Sequence, residues 1–172
     1  MDTKKIAKQL AKDAKEKGIC KEWHDDLKRL DNKRKMIDMY IRGIDFCLSN
    51  EFPSNDYIRD NFKGHMEDQG VFLDDRIDLT NFRRCVALGK TSGNVLVTDY
   101  GVCEVFAKHQ SKLIINAKGH AFVEIDMFDD SNVTVIASDS ARVHVNKYGG
   151  HLTTTENGCS RIKTTVKNKK TY

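Results

Sequence analysis

The sequence predicts an α+β protein with an N-terminal helical region and a C-terminal β-solenoid. Three observations carry this prediction: apolar residues at helical spacing before residue 50, a break at Phe52-Pro53, and a ten-residue repeat over 101–150. We divide the chain into a helical oligomerisation region (1–64), a connector with the first strands (65–94), the β-solenoid (95–166) and a basic tail (167–172).

The first helix is predicted from about Asp2 to Lys17. Its apolar residues share one narrow face and are Ile6, Ala7, Leu10, Ala11 and Ala14. Gly18 is a suitable terminator, because glycine tolerates the left-handed conformation that ends many helices.

A second, longer helix is predicted from about Cys20 to Ser49. Its apolar positions recur in steps of three, four and seven, with one polar residue in the series: Trp23, Leu27, Leu30, Arg34, Ile37, Ile41, Ile44 and Leu48. This heptad spacing is typical of a coiled coil, in which a polar seam residue such as Arg34 can select register. We therefore expect a homo-oligomer. The alternative is an αα-hairpin in which the first helix covers the second.

The segment after Pro53 predicts a short helix and then the first strands. Ser54 is a suitable N-cap for a helix that carries Tyr57, Ile58 and Phe62, and Gly64 ends it. Short apolar runs separated by turn residues follow from 65 to 90 and predict strands.

The ten-residue repeat is the most specific feature of the chain. Five consecutive units share apolar third and fifth positions, aliphatic in all but the first of them: Cys103, Val105, Leu113, Ile115, Val123, Ile125, Val133, Val135, Val143 and Val145. The first position is always small and the units end in turn residues. Alternation places the odd positions on one face of a strand, and a fixed period favours a solenoid with one strand and one turn per unit. The alternative is an antiparallel β-meander or sandwich.

The same spacing carried forward predicts a polar last turn. Four polar residues then stand where aliphatic residues stood before: Thr153, Thr155, Lys163 and Thr165. Other exceptions are aromatic residues at positions expected to be polar: Phe106, Phe122, Phe128 and Tyr148. They could cover an edge, meet the helices or form a partner surface.

The sequence offers no pattern for catalysis or for a cofactor. The segment Gly89-Lys90-Thr91 lacks the first glycine of a phosphate-binding loop, because position 84 is arginine. Cys20 and His24 share a helix face, but two ligands are too few for a metal site. The five cysteines are spread singly and are expected to be free thiols. We therefore expect no enzyme, no metal and no cofactor.

Charge and hydropathy bear on partners and location. Residues 161–172 hold five Lys/Arg and no acidic residue. Such a run can contact phosphates. Within it, no aromatic residue on which a base could stack stands before Tyr172, so a solvated end is favoured. The alternative is a nucleic acid or nucleotide partner. No apolar run is long enough for a membrane span. The lysines of 1–17 do not fit a secretory signal, which makes the cytoplasm the expected location, or a virion for a phage component.

The valine-rich decads, together with the preceding stretch from Tyr40 to Ile58, resemble uncharacterised β-repeat proteins of Bacteroidota and their phages. The resemblance extends from about residue 27 to 160 and implies a phage or mobile-element origin. It supplies no catalytic residue.

Two functions follow as hypotheses. The first is a non-catalytic, self-associating structural or adhesive protein, such as a phage fibre or decoration component. The second is a soluble interaction factor that binds and blocks a host protein or captures a nucleotide.

Overall fold

The computed structural model describes residues 2–172, which divide into two compact units. One unit runs to Gln69 and is helical, and the other runs from Gly70 to Thr171 and is formed by strands. The α+β fold with a C-terminal solenoid is thus confirmed. The described helices are α1 (Thr3–Glu16), α2 (Lys21–Arg29), α3 (Lys33–Arg42), α4 (Ile44–Ser49) and α5 (Asn55–Asn61), followed by a 3₁₀ turn (Glu67–Gln69).

The first helix forms as predicted. The Asp2 side chain accepts the Lys4 N–H at its start, and Gly18, with φ +86°, follows its end. All five residues of the predicted face are buried, and α1 packs against α2. This contact corresponds to the hairpin that was the alternative prediction.

The continuous helix predicted from Cys20 to Ser49 is wrong. Leu30 takes an extended conformation, Asn32 caps a new helix by accepting the Lys35 N–H at 2.9 Å, and Gly43 separates α3 from α4. Trp23 lies against Gly43, where an added Cβ would come within 2.9 Å of the indole ring. Residues twenty apart on one straight helix would be about 30 Å apart. The chain therefore folds back on itself.

The predicted seam does not run along one helix face. Leu27, Ile37, Ile44 and Leu48 are buried within one chain, while Trp23, Leu30 and Ile41 are half-buried. Arg34, expected inside the seam, is exposed and pairs with Asp68 at 3.2 Å. The heptad spacing therefore reflects the core of a small helical unit. This core also contains the buried Met36 and Met39.

The final helix is capped as predicted. The Ser54 hydroxyl accepts the Tyr57 N–H at 3.3 Å, and Ile58 is buried.

The second unit is a parallel β-solenoid of about five coils. Its described strands are β1 (Val71–Leu73), β2 (Arg76–Thr80), β3 (Arg84–Leu88), β4 (Ser92–Val97), β5 (Val102–Ala107), β6 (Lys112–Ala117), β7 (Phe122–Met127), β8 (Asn132–Ala137), β9 (Arg142–Lys147), β10 (His151–Glu156) and β11 (Arg161–Val166). Odd-numbered strands form sheet A and even-numbered strands form sheet B.

Neighbouring strands of a sheet are twenty residues apart over most of the solenoid, as Val105 opposite Ile125 and Val95 opposite Ile115 show. Every strand pair within residues 2–172 is parallel, which excludes the antiparallel alternative. The predicted repeat-core residues are all buried inside the coil. Coils also begin before residue 95, since β1, β2 and β3 lie in the segment interpreted as connector and first strands.

Turn geometry explains the small first position of each repeat. Ser131 and Ala141 sit at corners with no exposed surface, and each donates its N–H to the carbonyl three residues earlier. The preceding turn residues Asp129 and Asp139 have φ +54° and +60°, a conformation that aspartate tolerates better than most residues.

The register slips by one residue after β9. The turn of 148–150 has one residue fewer than the preceding corners, so Leu152 lies opposite Val133 and Ile162 opposite Val143, nineteen residues apart. The inward positions of the last coil are consequently Leu152, Thr154, Ile162 and Thr164. The prediction that placed Thr153, Thr155, Lys163 and Thr165 there is wrong, because a shift of one residue moves each side chain to the other face.

Candidate interaction surfaces

Several residues that drew attention in the sequence have structural roles. Thr91 is buried at a corner and donates its hydroxyl to the Leu88 carbonyl at 2.7 Å, while the Lys90 N–H bonds to Asp74 Oδ1 at 2.8 Å. The Gly89-Lys90-Thr91 segment is thus part of a solenoid turn. Cys20 caps α2 through its backbone, and His24 Nδ1 lies 2.9 Å from Asp25 Oδ1.

The histidines of the solenoid lie at different places. His109 Nδ1 accepts the Gly89 N–H at 3.0 Å on one row of turns. His120 stacks on Tyr100 on the opposite row, and His144 Nε2 lies 3.2 Å from Thr165 Oγ1 on the outer face of sheet A. The structure therefore does not gather these three imidazoles into one cluster.

The thiols divide into buried and exposed groups. Cys47, Cys85 and Cys103 are buried, whereas Cys20 and Cys159 are exposed, and all five are free. Burial raises the pKa of Cys47 and of Cys103 to about 12, and it raises the pKa of Cys85 as well. The buried thiols are therefore protonated at neutral pH and poor nucleophiles.

A contiguous apolar surface lies at one corner of the solenoid. We call Tyr100, Val102, His120 and Phe122 the apolar patch. Tyr100, Val102 and Phe122 are 79%, 57% and 43% exposed. Val102 and Phe122 are register partners on β5 and β7, and the Tyr100 and His120 rings stack at 5.0 Å and 12°. An exposed apolar group of this kind is typical of an interaction site.

Both signs of charge border the apolar patch. Glu124 follows Phe122 on the same outer face of β7, and Arg142 is the register partner of Phe122 on β9. The Arg142 guanidinium donates to the carbonyls of Ser140, Ala141 and Cys159, which fixes its position. The rim of the patch is thus polar, like that of many protein interfaces.

The outer face of sheet B differs in character. A concave region of about 650 Å³ is bordered there by Arg76, Asp78, Ser92, Asn94 and Ile114, with Ile77 and Gly93. Gly93 has φ +142°, and an added Cβ would meet the Ile77 carbonyl oxygen at 1.9 Å, so only glycine fits.

The last coil is open on one side. Strand β11 is the outer strand of sheet A and β10 is the outer strand of sheet B. Arg161, Lys163 and Thr154 are exposed there, and the tail lysines Lys169 and Lys170, which follow β11 in the sequence, are exposed as well. We call β10 and β11 the terminal coil.

The helices and the known proteins give no further indication of function. None of the helices described in 2–172 combines the length and apolar character of a bilayer span. The chain has no match among protein-family models, curated proteins or solved structures.

Sequence reasoning found one part of these surfaces and missed others. Phe122 was singled out as an aromatic residue at a polar position, and it belongs to the apolar patch. Tyr100 and His120 were missed because each occupies an ordinary turn position. Their shared spacing of twenty residues, one coil of the solenoid, was the signal that could have paired them.

Proposed function

We propose that this protein is a non-catalytic structural protein that associates with copies of itself through the apolar patch. The observation that carries the proposal is the exposure of Tyr100, Val102 and Phe122 side by side on an otherwise largely polar outer surface. Four of the eight helical residues expected to form the oligomer are buried within one chain and three more are half-buried, which favours the solenoid as the associating part.

The build of the solenoid supports a structural role. Its interior is filled with small aliphatic side chains, and each coil pairs its backbone with the next. Stacked coils give a stiff element whose outer positions repeat at about 4.8 Å. The buried thiols with raised pKa values are not suited to nucleophilic chemistry.

The rim charges fit a symmetric pair. In a two-fold interface the same patch contacts itself, so each residue near the axis meets a residue of the other copy. Glu124 of one copy can then approach Arg142 of the other, while Val102 and Phe122 form the apolar centre. The resemblance to proteins of Bacteroidota and their phages fits a role in a virus particle, with the virion as one location and the cytoplasm as the other.

The test is the mass in solution, measured by light scattering on a sizing column over a range of concentrations. We expect the native chain to exceed its monomer mass of 19.6 kDa. The double variant Val102→Asp/Phe122→Asp should elute as a monomer with an unchanged β signal in circular dichroism.

The matched control is Ile114→Asp, which places the same charge at another exposed aliphatic position, on sheet B. It should associate like the native chain. A native chain that stays at monomer mass at every concentration would refute the proposal. Equal association of the patch variant would move the interface elsewhere.

A second function, capture of another protein, is favoured by a separate observation, the open terminal coil. This function corresponds to the second hypothesis from the sequence, a soluble interaction factor that binds and blocks a host protein. Excess absorbance at 260 nm in the eluted peak would instead indicate the nucleotide of that hypothesis.

A further inference from the structure

Within the described part of the chain, the terminal coil has a row of backbone groups that no further strand pairs. The N–H groups of Arg161 and Lys167 bond to carbonyls along β9. Because backbone groups alternate along a strand, those of Ile162, Thr164 and Val166 point to the open side. In β10, His151 and Asn157 bond along β8. The backbone groups of Leu152, Thr154 and Glu156 therefore face the same opening.

Side-chain exposure confirms the opening. Thr154 and Thr164 occupy inward positions, which are fully buried in the coils below, yet both are exposed. Leu152 and Ile162 are half-buried and pack on the aliphatic core. The end of the solenoid thus presents three aliphatic side chains, with Val166 70% exposed beside Leu152 and Ile162, several hydroxyl groups and two strand edges.

One carboxylate already occupies a donor of this edge. Glu156 Oε1 accepts the backbone N–H of Ile162 at 2.5 Å. This N–H lies on the open side of β11, where a further coil would otherwise accept its hydrogen bond. The contact shows that a carboxylate can accept a hydrogen bond from this edge.

Charge selects the kind of occupant. Residues 141–172 hold seven Lys/Arg and one acidic residue, whereas residues 70–140 hold seven Lys/Arg and ten acidic residues. The positive charge of the solenoid is therefore concentrated around the terminal coil. A second copy of this coil would bring like charges together, which costs free energy.

We infer that the terminal coil binds an extended, acidic segment of a partner protein by strand addition. The segment pairs its backbone with the open edge of β11 or β10, as peptides do at exposed sheet edges. Its acidic side chains meet Arg161, Lys163 and Lys167. Nucleic acid is the weaker occupant, because His151 is the one aromatic ring on the fully described strands β10 and β11, whereas single-strand-binding proteins stack successive bases on several rings.

This inference concerns a different surface from the apolar patch and does not rest on self-association. The two are separable by experiment, because the patch variant Val102→Asp/Phe122→Asp keeps the terminal coil intact. That variant should bind the acidic segment as the native chain does, whatever its mass.

The test is fluorescence anisotropy of the full chain with a labelled peptide of about ten residues that alternates Glu with Val and Thr. A peptide of the same length and charge in which two central Val or Thr residues are replaced by proline, and which therefore cannot form a strand ladder, is the peptide control. A single-stranded oligonucleotide of equal charge is the third probe.

Two variants of the protein separate backbone from charge. Thr164→Pro removes an N–H on the open side without touching the β9 ladder, and Lys163→Glu/Lys167→Glu reverses the charge. Each should raise the Kd at least about tenfold, which corresponds to about 1.4 kcal/mol. The matched control Lys90→Glu/Lys112→Glu, at exposed lysines of earlier coils, should change the Kd less than about twofold.

Three outcomes would overturn the inference. They are no binding of the acidic peptide by the folded native chain, equal binding of the proline peptide, and tighter binding of the oligonucleotide. The last would assign the terminal coil to nucleic acid. An unfolded Thr164→Pro protein, recognised by circular dichroism, leaves the charge pair and the proline peptide to decide.

Discussion

The helical unit and the solenoid build their cores in different ways. In the helical unit, five short helices fold back on one another, and a contact such as Trp23 against Gly43 occurs once. In the solenoid, the same contact recurs each time a coil stacks on the previous one, as Val123 on Cys103 and Val143 on Val123. In the helical unit, a substitution therefore removes a contact that no other position repeats. In the solenoid, the effect of a substitution depends on the coil in which it lies, because a middle coil is covered on both sides and the terminal coil on one.

Breaking the helical core should have the largest effect. Ile37 is 4% exposed, and Ile37→Asp buries an unpaired charge there, which should cost at least about 4 kcal/mol of unfolding free energy. Urea denaturation followed by the fluorescence of the single tryptophan, Trp23, measures it. Arg34→Asp, at an exposed position three residues earlier, is the control and should shift the midpoint little. A coiled-coil seam would behave differently: Ile37→Asp would lower the oligomer mass with the chain still folded.

Within the solenoid, the cost of a truncation should depend on the coil. Ile125 is fully buried in a middle coil, so Ile125→Ala should cost about 3–4 kcal/mol through lost contacts and a cavity. Ile162, half-buried in the terminal coil, should cost at most about 1.5 kcal/mol on the same change, because water already reaches it. Thermal unfolding monitored in the β region of circular dichroism compares the two. Equal costs would mean that the terminal coil is covered after all.

The glycine on sheet B should show an effect of comparable size. Gly93→Ala places a side chain at φ +142°, where the conformational strain alone should cost about 2 kcal/mol, and the clash with the Ile77 carbonyl oxygen adds to that cost. The control is Ser92→Ala at the preceding, half-exposed position. A fall in the unfolding midpoint of the control as large as that of Gly93→Ala would contradict the steric explanation.

The smallest effect concerns the break between α2 and α3. Asn32→Ala removes the cap of α3 and should cost about 1 kcal/mol, whereas Asn32→Asp should retain the cap and most of the stability. Chemical denaturation of both variants measures the difference. If Asn32→Ala were more stable than the native chain, the segment would prefer the uninterrupted helix.

Most of the solenoid could be predicted because its signal is repeated. Five units place an aliphatic residue at the third and fifth positions, so one exception does not hide the pattern. The register slip after Lys147 could not be predicted, because a turn shorter by one residue does not change the composition. The slip nevertheless places Leu152 in the interior instead of Thr153. The register from β3 to β9 follows from the period, whereas β1 with β3 (Val71 opposite Val86) and β2 with β4 (Arg76 opposite Ser92) pair at a shorter spacing.

The helical unit could be predicted only in part, because each break occurs once. Asn32 is an ordinary helix cap, but heptad spacing on both sides of it suggested continuity. Gly43 does not predict a helix break either, since a single glycine is tolerated within a helix. The patch residues Tyr100 and His120 depend on the solenoid geometry, which brings turn residues of successive coils side by side, and a linear reading does not show this.

The central claim is that the solenoid, and not the helical unit, carries the contacts between copies. Hydrogen exchange measured by mass spectrometry at low and high protein concentration tests it directly. We expect added protection at high concentration in peptides that cover 98–104 and 118–124, with unchanged exchange in those covering α2 to α4. Added protection confined to α2, α3 and α4 would contradict the account and return the interface to the helices.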